Sequence, residues 1–220
     1  LPRKMIRWAA DQAKGVITVC NALKDEMVEL GVPADRITPL RNGVDLQRFQ
    51  PGDRAAARRA LGLQHFTLLS VGLLDPRKAH HLVIGALSHL PGVRLLIAGT
   101  GPERQRLEQL AVQAGVADRV TFLGAVPQVQ LAEYYNAADA LVLASSREGW
   151  ANVLLESMAC GTPVVASNVW GTPEVVAAPE AGRLMAQRTA EGVADAVKLL
   201  RADYPDHTAT RRYAERFSWD

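Results

Sequence analysis

The sequence predicts an α/β fold built on a doubly wound parallel sheet of the Rossmann-like kind. Three observations carry this. Five short runs, FTLLSVG (66–72), VRLLIAG (93–99), VTFLG (120–124), ALVLAS (140–145) and PVVAS (163–167), are apolar along almost their whole length. That is the mark of strands buried on both faces. A stretch long enough for one helix separates each of the first four from the next, and right-handed crossovers then place helices on both sides of the sheet. Several runs also end in a glycine-bearing turn, which is where ligands bind in such sheets.

The elements follow in order. Residues 5–14 read as a helix leading into GVITVC (15–20), a short β-branched strand. Asn21 is placed to cap a helix that ends at Gly31, and DRITPLRNGVD (35–45) supplies a second short strand and a turn. This β-α-β unit is too small to be a complete domain. Asn42-Gly43 and Pro51-Gly52 are turn signals, and the stretch 42–52 between them reads as an interdomain linker. A helix is expected at 54–61. The five strand runs then alternate with helices at 79–90, 102–114, 129–136 and 152–159. A short helix at 173–177, a weak strand at 182–185 and helices at 189–201 and 207–217 complete the chain. The expected division is 1–44 for the end of one domain and the hinge, 45–205 for the Rossmann-like domain, and 206–220 for a last helix.

The bulk numbers set limits. With 220 residues, 48% hydrophobic and 22% charged, the chain is long and apolar enough for a packed core. A net charge of +2 argues against nucleic acid as the main partner. The local run RAAARR (54–59) reads as a solvated helix face. Cys20 and Cys160 lie in apolar surroundings without zinc-type spacing and read as buried thiols of a reducing compartment. No run approaches the roughly 18 apolar residues of a membrane span, and none reads as a secretory signal. A chain that begins with Leu1 and closes on FSWD reads as a piece of a longer protein.

The strand ends hold the candidate chemistry. After the first strand of the main sheet comes VGLLDPRKAHH (71–81), where Gly72 lets a ligand approach the backbone and Arg77 and Lys78 offer charge to a diphosphate. The second strand ends in AGTGPE, the third in GAVPQ and the fourth in SSREGWAN. All four fall on the same edge of the sheet. Glu148 stands just before a helix and Glu156 inside it, with seven residues between them. A helix start flanked by carboxylates and small residues can offer N–H groups to an anion and acceptors to hydroxyls. A nucleotide sugar carries both kinds of group.

VGLLDPRK, IAGTGPE, FLGAV, AADALVLAS and EGWANVLLESMACGTPVVAS together resemble the carboxyl-terminal half of glycosyltransferase family 4, retaining enzymes of the two-domain GT-B fold. VITVC and RNGVDLQRFQP are similar to the end of that family's first domain and its hinge. The likeness runs over nearly the whole chain, and the paired-glutamate segment is its most specific part. It implies roles. Glu148 binds hydroxyls of the donor sugar, and Lys78 neutralises the β-phosphate as the glycosidic bond breaks. Glu156 binds the ribose. The backbone from Gly149 through Trp150, Ala151 and Asn152 to Val153 meets the sugar and diphosphate. Gly72 permits close approach, and the turn of Gly124, Ala125 and Val126 lies beside the base. The donor is then a nucleoside diphosphate sugar, with no cofactor and no metal. The acceptor is a carbohydrate or a lipid-linked molecule, held by the missing part of the first domain. A cytoplasmic location follows, with contact to the inner face of a membrane left open.

One position departs from the family. The common form sets an arginine directly after the glycine, and Leu73 stands there instead. Arg77 is a candidate replacement, or the charge comes from elsewhere. A non-catalytic nucleotide-binding module and another GT-B enzyme, such as an epimerase, are the rival readings. His80 and His81 point in different directions on a helix and have no third ligand nearby, so they read as structural. Glu174 reads as a residue that caps or orients its loop. The last helix, ending TRRYAERFSWD, resembles the family segment that crosses back to the first domain, so it and residues 1–41 are expected to leave apolar faces partly uncovered, and the piece could dimerise.

Overall fold

A computed structural model describes residues 3–219. The chain opens with α1 (Arg3–Gln12), β1 (Val16–Thr18), α2 (Asn21–Glu29) and β2 (Ile37–Pro39). β1 and β2 pair in parallel as a separate two-stranded sheet, as a β-α-β unit requires. Its outer side is apolar and open: Ile17 is 68% exposed and Leu40 60%. Cys20 is the N-cap of α2, its sulfur accepting from Leu23 N at 3.4 Å. Asn21, expected in that role, is instead the first residue of the helix.

The main body follows as α3 (Arg54–Ala60), β3 (Thr67–Val71), α4 (His80–Ala86), β4 (Arg94–Ala98), α5 (Arg104–Gln113), β5 (Val120–Gly124), α6 (Gln128–Ala137), β6 (Ala140–Leu143), α7 (Asn152–Ala159), β7 (Val164–Ser167), α8 (Thr172–Val175), β8 (Gly182–Met185), α9 (Ala190–Ala202) and α10 (His207–Ala214). Its six strands form one parallel sheet in the order β5-β4-β3-β6-β7-β8. The chain starts at the centre, winds outward to β5, returns to β6 and winds out the other way. This is the doubly wound arrangement, and its switch point lies between β3 and β6.

Alternation along each strand divides the core into two layers. Leu69, Leu96, Leu141 and Val164 face one way, against Leu131 and Tyr135 of α6, Leu154 and Met158 of α7 and Tyr213 of α10. Leu68, Leu95, Val142 and Val165 face the other way, against Ile84 of α4, Leu107 of α5 and Val197 of α9. Side chains at adjacent positions of β3, β4, β6 and β7 are thus buried on opposite faces, which explains their unbroken apolar runs; β5, expected to be buried on both faces, is an edge strand and has no buried residue.

Two expectations need correction. The basic run at 54–59 is not simply a solvated face. Arg54 lies 2.6 Å and Arg58 2.9 Å from opposite oxygens of Asp139. Thr67 N donates to the same carboxylate at 2.7 Å. A shielded carboxylate at the entry to β6 draws these cations inward, and Arg59 alone of the three is exposed. The last helix is not uncovered either. Thr210, Tyr213 and Ala214 are buried, and the Tyr213 hydroxyl donates to Val175 O at 2.9 Å. The helix packs on α7 and covers the core of its own domain.

The stretch 42–52 is a packed strap. Val44 and Phe49 are buried, and Val44 N donates to Phe217 O at 2.8 Å, beside an isolated parallel bridge between Val44 and Ser218. Among the described residues no helix is long and apolar enough to cross a membrane.

Candidate active site

The crevice at the switch point is built from the loops that follow β3 and β6. Ser146 N donates to Arg77 O at 2.8 Å and ties the two loops together. Across that tie, Lys78 Nζ lies 2.6 Å from Glu148 Oε1, with the two side chains only 24% and 12% exposed. Such shielding lowers the effective dielectric and strengthens the fields of both groups. Asp75 shapes the first loop: its oxygens accept from Lys78 N at 3.0 Å and Arg77 Nη2 at 2.8 Å. Burial pulls the Asp75 carboxyl upward, but these hydrogen bonds outweigh it and leave the group below its ordinary range. Directly after Lys78, Ala79 takes a left-handed conformation, φ 52° and ψ 38°. For a residue with a Cβ that costs roughly 1–2 kcal/mol, and it turns the chain sharply into α4.

The loops after β3 and β4 touch through glycine. Gly99 has φ 150°, and a Cβ there would run into the carbonyl oxygen of Gly72. Gly72, at φ 153°, leaves its own Cβ position beside the Lys78 side chain.

α7 begins without a side-chain cap. The amides of its first turn, at Asn152 and Val153, therefore face the crevice end of the helix with no capping side chain. The preceding loop is held from below. Trp150 is buried, donates through Nε1 to Asn42 O at 3.0 Å and packs on Phe217 at 5.9 Å between ring centroids. Its ring is structural, so only its backbone can reach a ligand. Gly171 N donates to Glu148 O at 3.2 Å. Gly149 sits under Leu23 and Val19, where a Cβ would lie 3.0 and 3.2 Å from their methyls.

Glu156 lies one turn into α7 and is 8% exposed. Oε2 accepts from the Tyr135 hydroxyl at 2.8 Å, and Oε1 accepts from Gln128 Nε2 at 3.3 Å. Glu156 and Asn152 border a polar cavity of about 180 Å³ together with Asp45, Arg48 and Gln128. A second cavity, of about 250 Å³, is lined by Gly72, Leu73, Gly99, Ala125 and Val126. Gly124, at φ 73°, makes the turn that presents Ala125 and Val126.

Most of the residues singled out from sequence are thus brought to one edge of the sheet. Lys78 meets Glu148, Gly72 shares a cavity with Ala125 and Val126, and Glu156 shares one with Asn152. Arg77 is on the right loop, but its guanidinium is 68% exposed and bound to Asp75. Leu73, 51% exposed, holds the position where the family carries arginine. His80 is buried with Nδ1 2.9 Å from Ser70 Oγ and Nε2 3.3 Å from Leu73 O. A carbonyl only accepts, so Nε2 carries the proton and Ser70 donates to Nδ1. Glu174 does cap, but the cap is on α2 and not on its own loop: it accepts from Asn21 N at 2.8 Å, from Asn21 Nδ2 at 2.9 Å and from Arg41 at 2.7 Å. Tyr135 and Gln128 were not legible as site residues. Tyr135 lies 21 positions before Glu156 and reads as an ordinary core aromatic, and only the packing of α6 on α7 joins them.

Strand order and switch point define a doubly wound, Rossmann-like body, and solved GT-B glycosyltransferases share its fold. The comparison with known proteins agrees. Residues 53–217 match the family described as glycosyl transferases group 1, and residues 1–48 match Glycosyltransferase Family 4. The chain belongs to glycosyltransferase family 4. A D-inositol 3-phosphate glycosyltransferase of Mycobacteroides abscessus is 40% identical over 220 residues, which is 95% of this chain and 49% of that protein. A protein of the same name from Mycolicibacterium paratuberculosis is 41% identical over 198 residues, 84% of this chain and 45% of that one. The chain therefore spans about half the length of the curated relatives it matches. Sucrose-phosphate synthase from Thermosynechococcus elongatus superposes with a TM-score of 0.89 at 30% identity, covering 99% of this chain and 57% of that one. Anabaena HepE in complex with UDP shares the fold, with a TM-score of 0.90 at 24% identity over 99% of this chain and 65% of that one.

Proposed function

We propose that this chain is the donor-binding part of a retaining glycosyltransferase. The whole enzyme would move a sugar from a nucleoside diphosphate sugar to an acceptor hydroxyl and keep the anomeric configuration. The observation that carries the reading is the 2.6 Å pairing of Lys78 with Glu148 across the switch point, with Glu156 lining a polar cavity beside Asn152 at the start of α7.

The chemistry follows from what each group can do. The bond between the anomeric carbon and the β-phosphate oxygen breaks, and negative charge grows on the leaving diphosphate. Lys78 and the uncapped amides of Asn152 and Val153 stabilise that charge in place. Glu148 orients the sugar through its hydroxyls, and Glu156 holds the ribose. The acceptor oxygen bonds to the anomeric carbon on the face the diphosphate leaves, and its proton passes to a phosphate oxygen. No step in this scheme calls for a metal, so a chelator should leave the rate of the intact enzyme unchanged. The name shared by the relatives makes D-inositol 3-phosphate the first acceptor to offer the intact enzyme.

By this reading the 220-residue chain binds donor without turning it over. Titration calorimetry with UDP-, GDP- and ADP-sugars tests it, with circular dichroism as a check on folding. Saturable binding of at least one donor is expected, and a folded chain that binds none of them would sink the reading. Leu73 favours a second reading, a nucleotide-binding module without catalysis, because an apolar side chain lines the 250 Å³ cavity at the position where the family resemblance expects arginine. Transfer of labelled sugar by the intact enzyme would exclude it.

A further inference from the structure

Glu156 has two carboxylate oxygens, and the fold treats them differently. Oε2 faces inward to Tyr135, which is fully buried. That tyrosine cannot swing away. Its ring packs edge-on against Phe49 at 5.9 Å, and its carbonyl accepts from Thr162 Oγ1 at 2.7 Å. Burial, with the nearby Glu156 charge adding to it, raises the phenol well above its ordinary range, so it remains a proton donor throughout the working pH range. Oε1 accepts the longer contact from Gln128, 3.3 Å against 2.8 Å for the tyrosine, and Glu156 and Gln128 both line the 180 Å³ cavity. Gln128 is exposed, and it is held at its other end by Arg48, which donates to its oxygen at 3.0 Å. A hydroxyl donating to a carboxylate sits closer, at about 2.5–2.7 Å, and binds more strongly than a stretched amide contact.

We infer that Tyr135 is a positioning residue that commits one oxygen of Glu156 to the core and leaves Oε1 as the single acceptor for a ribose hydroxyl, with Gln128 as the exchangeable donor that the hydroxyl replaces. This rests on the reading of Glu156 as the ribose ligand. It adds that recognition runs through one oxygen rather than a two-oxygen clasp, and that two neighbours outside the paired-glutamate segment set its strength with opposite sign.

The test uses the full chain and whichever of UDP, GDP and ADP binds best, beside the 2′,3′-dideoxy form of the same nucleotide. Tyr135→Phe keeps the ring and removes only the donor. It should weaken the ribonucleotide about tenfold, the scale of one hydrogen bond to a charged group, and leave the dideoxy affinity unchanged. Gln128→Ala should tighten the ribonucleotide about 2- to 3-fold, the scale of a weak competing contact, again without touching the dideoxy form. Equal weakening of both nucleotides by Tyr135→Phe would mean a purely structural role and overturn the inference. So would weaker ribonucleotide binding by Gln128→Ala, a surface change that leaves the core intact and decides the matter even if Tyr135→Phe does not fold. Glu156→Gln separates the levels. If it leaves ribonucleotide binding unchanged, the ribose reading itself fails. If it weakens binding while Tyr135→Phe does not, only the inference fails.

Discussion

Lys78 Nζ and Glu148 Oε1 stand 2.6 Å apart and join two loops that are 70 residues apart in the chain. The pair spans the switch point, so the cation assigned to the leaving diphosphate and the carboxylate assigned to the sugar hold each other in register. In the intact enzyme, Lys78→Ala should cut kcat about 100- to 1000-fold, the usual effect of losing one fixed charge-stabilising group. Glu148→Gln, which keeps a polar side chain of the same length, should lower kcat by a similar factor and change nucleotide affinity little. Steady-state kinetics read both. A near wild-type rate for Lys78→Ala would remove it from the mechanism.

Glu174 predicts a different kind of effect. Its carboxylate accepts from the first amides of α2, Asn21 N and Ala22 N, and also pairs with Arg41. Its side chain is 17% exposed and that of Arg41 46%. The capping contacts should therefore matter more than the ion pair, since exposed pairs contribute little. Glu174→Ala should cost about 1–2 kcal/mol, the scale of a lost cap, and Arg41→Ala under about 1 kcal/mol. Hydrogen exchange at Asn21 to Leu23 should speed up in the first variant and hardly at all in the second.

His80 makes stability depend on pH. Burial depresses its imidazole to about 4 in the fold, against 6.5 as its ordinary value. Between those values the unfolded chain holds the extra proton, so stability rises with pH there. Its contribution is complete above pH 6.5 and is lost progressively as pH falls towards about 4. The shift corresponds to roughly 3 kcal/mol. His80→Gln should flatten the fall in melting temperature between about pH 6.5 and 4.5, at the cost of a lower value at neutral pH because the Ser70 contact is disturbed. An equally steep fall in the variant would place the proton elsewhere.

Asp139 offers a sharper test of the fold. It receives Arg54, Arg58 and the amide of Thr67. Asp139→Ala leaves two half-buried guanidinium groups and a backbone donor without their acceptor. Roughly 3 kcal/mol should be lost, and urea unfolding would read it. Arg54→Ala should cost less, because Arg58 remains on the other carboxylate oxygen.

The fold was legible because burial on both faces leaves a local signature. TLLSV and VVAS, inside the predicted runs, fall on strands buried at every position, and NVLLESMA on the helix. The site was legible at strand ends, where glycines and charges cluster within a few positions of one another. What sequence could not show was pairing at a distance. Nothing local announces that Arg54 and Arg58 turn inward to Asp139, or that Tyr213 is covered by the segment around Val175. The partners of Tyr135 and Glu174 are likewise fixed only by how helices pack and how the first β-α-β unit meets the main body. Helix ends were blurred for a simpler reason. The runs at 79–90 and 207–217 continue past α4 and α10 as tighter 3-10 turns, Leu87–His89 and Glu215–Phe217, which apolar periodicity does not separate from an α-helix.

The bridge between Val44 and Ser218 gives the six-stranded body a further property. Residues 44 and 218, which flank the body, lie side by side, as the two ends of a clasp do. A short peptide joining the two ends would cross almost no distance, and new ends could be opened at an exposed turn such as Gly115 without cutting any strand of the sheet. Such a circular permutant should keep the crevice between the loops after β3 and β6, and the same geometry makes the body a cassette that another protein could carry as an insertion in a surface loop.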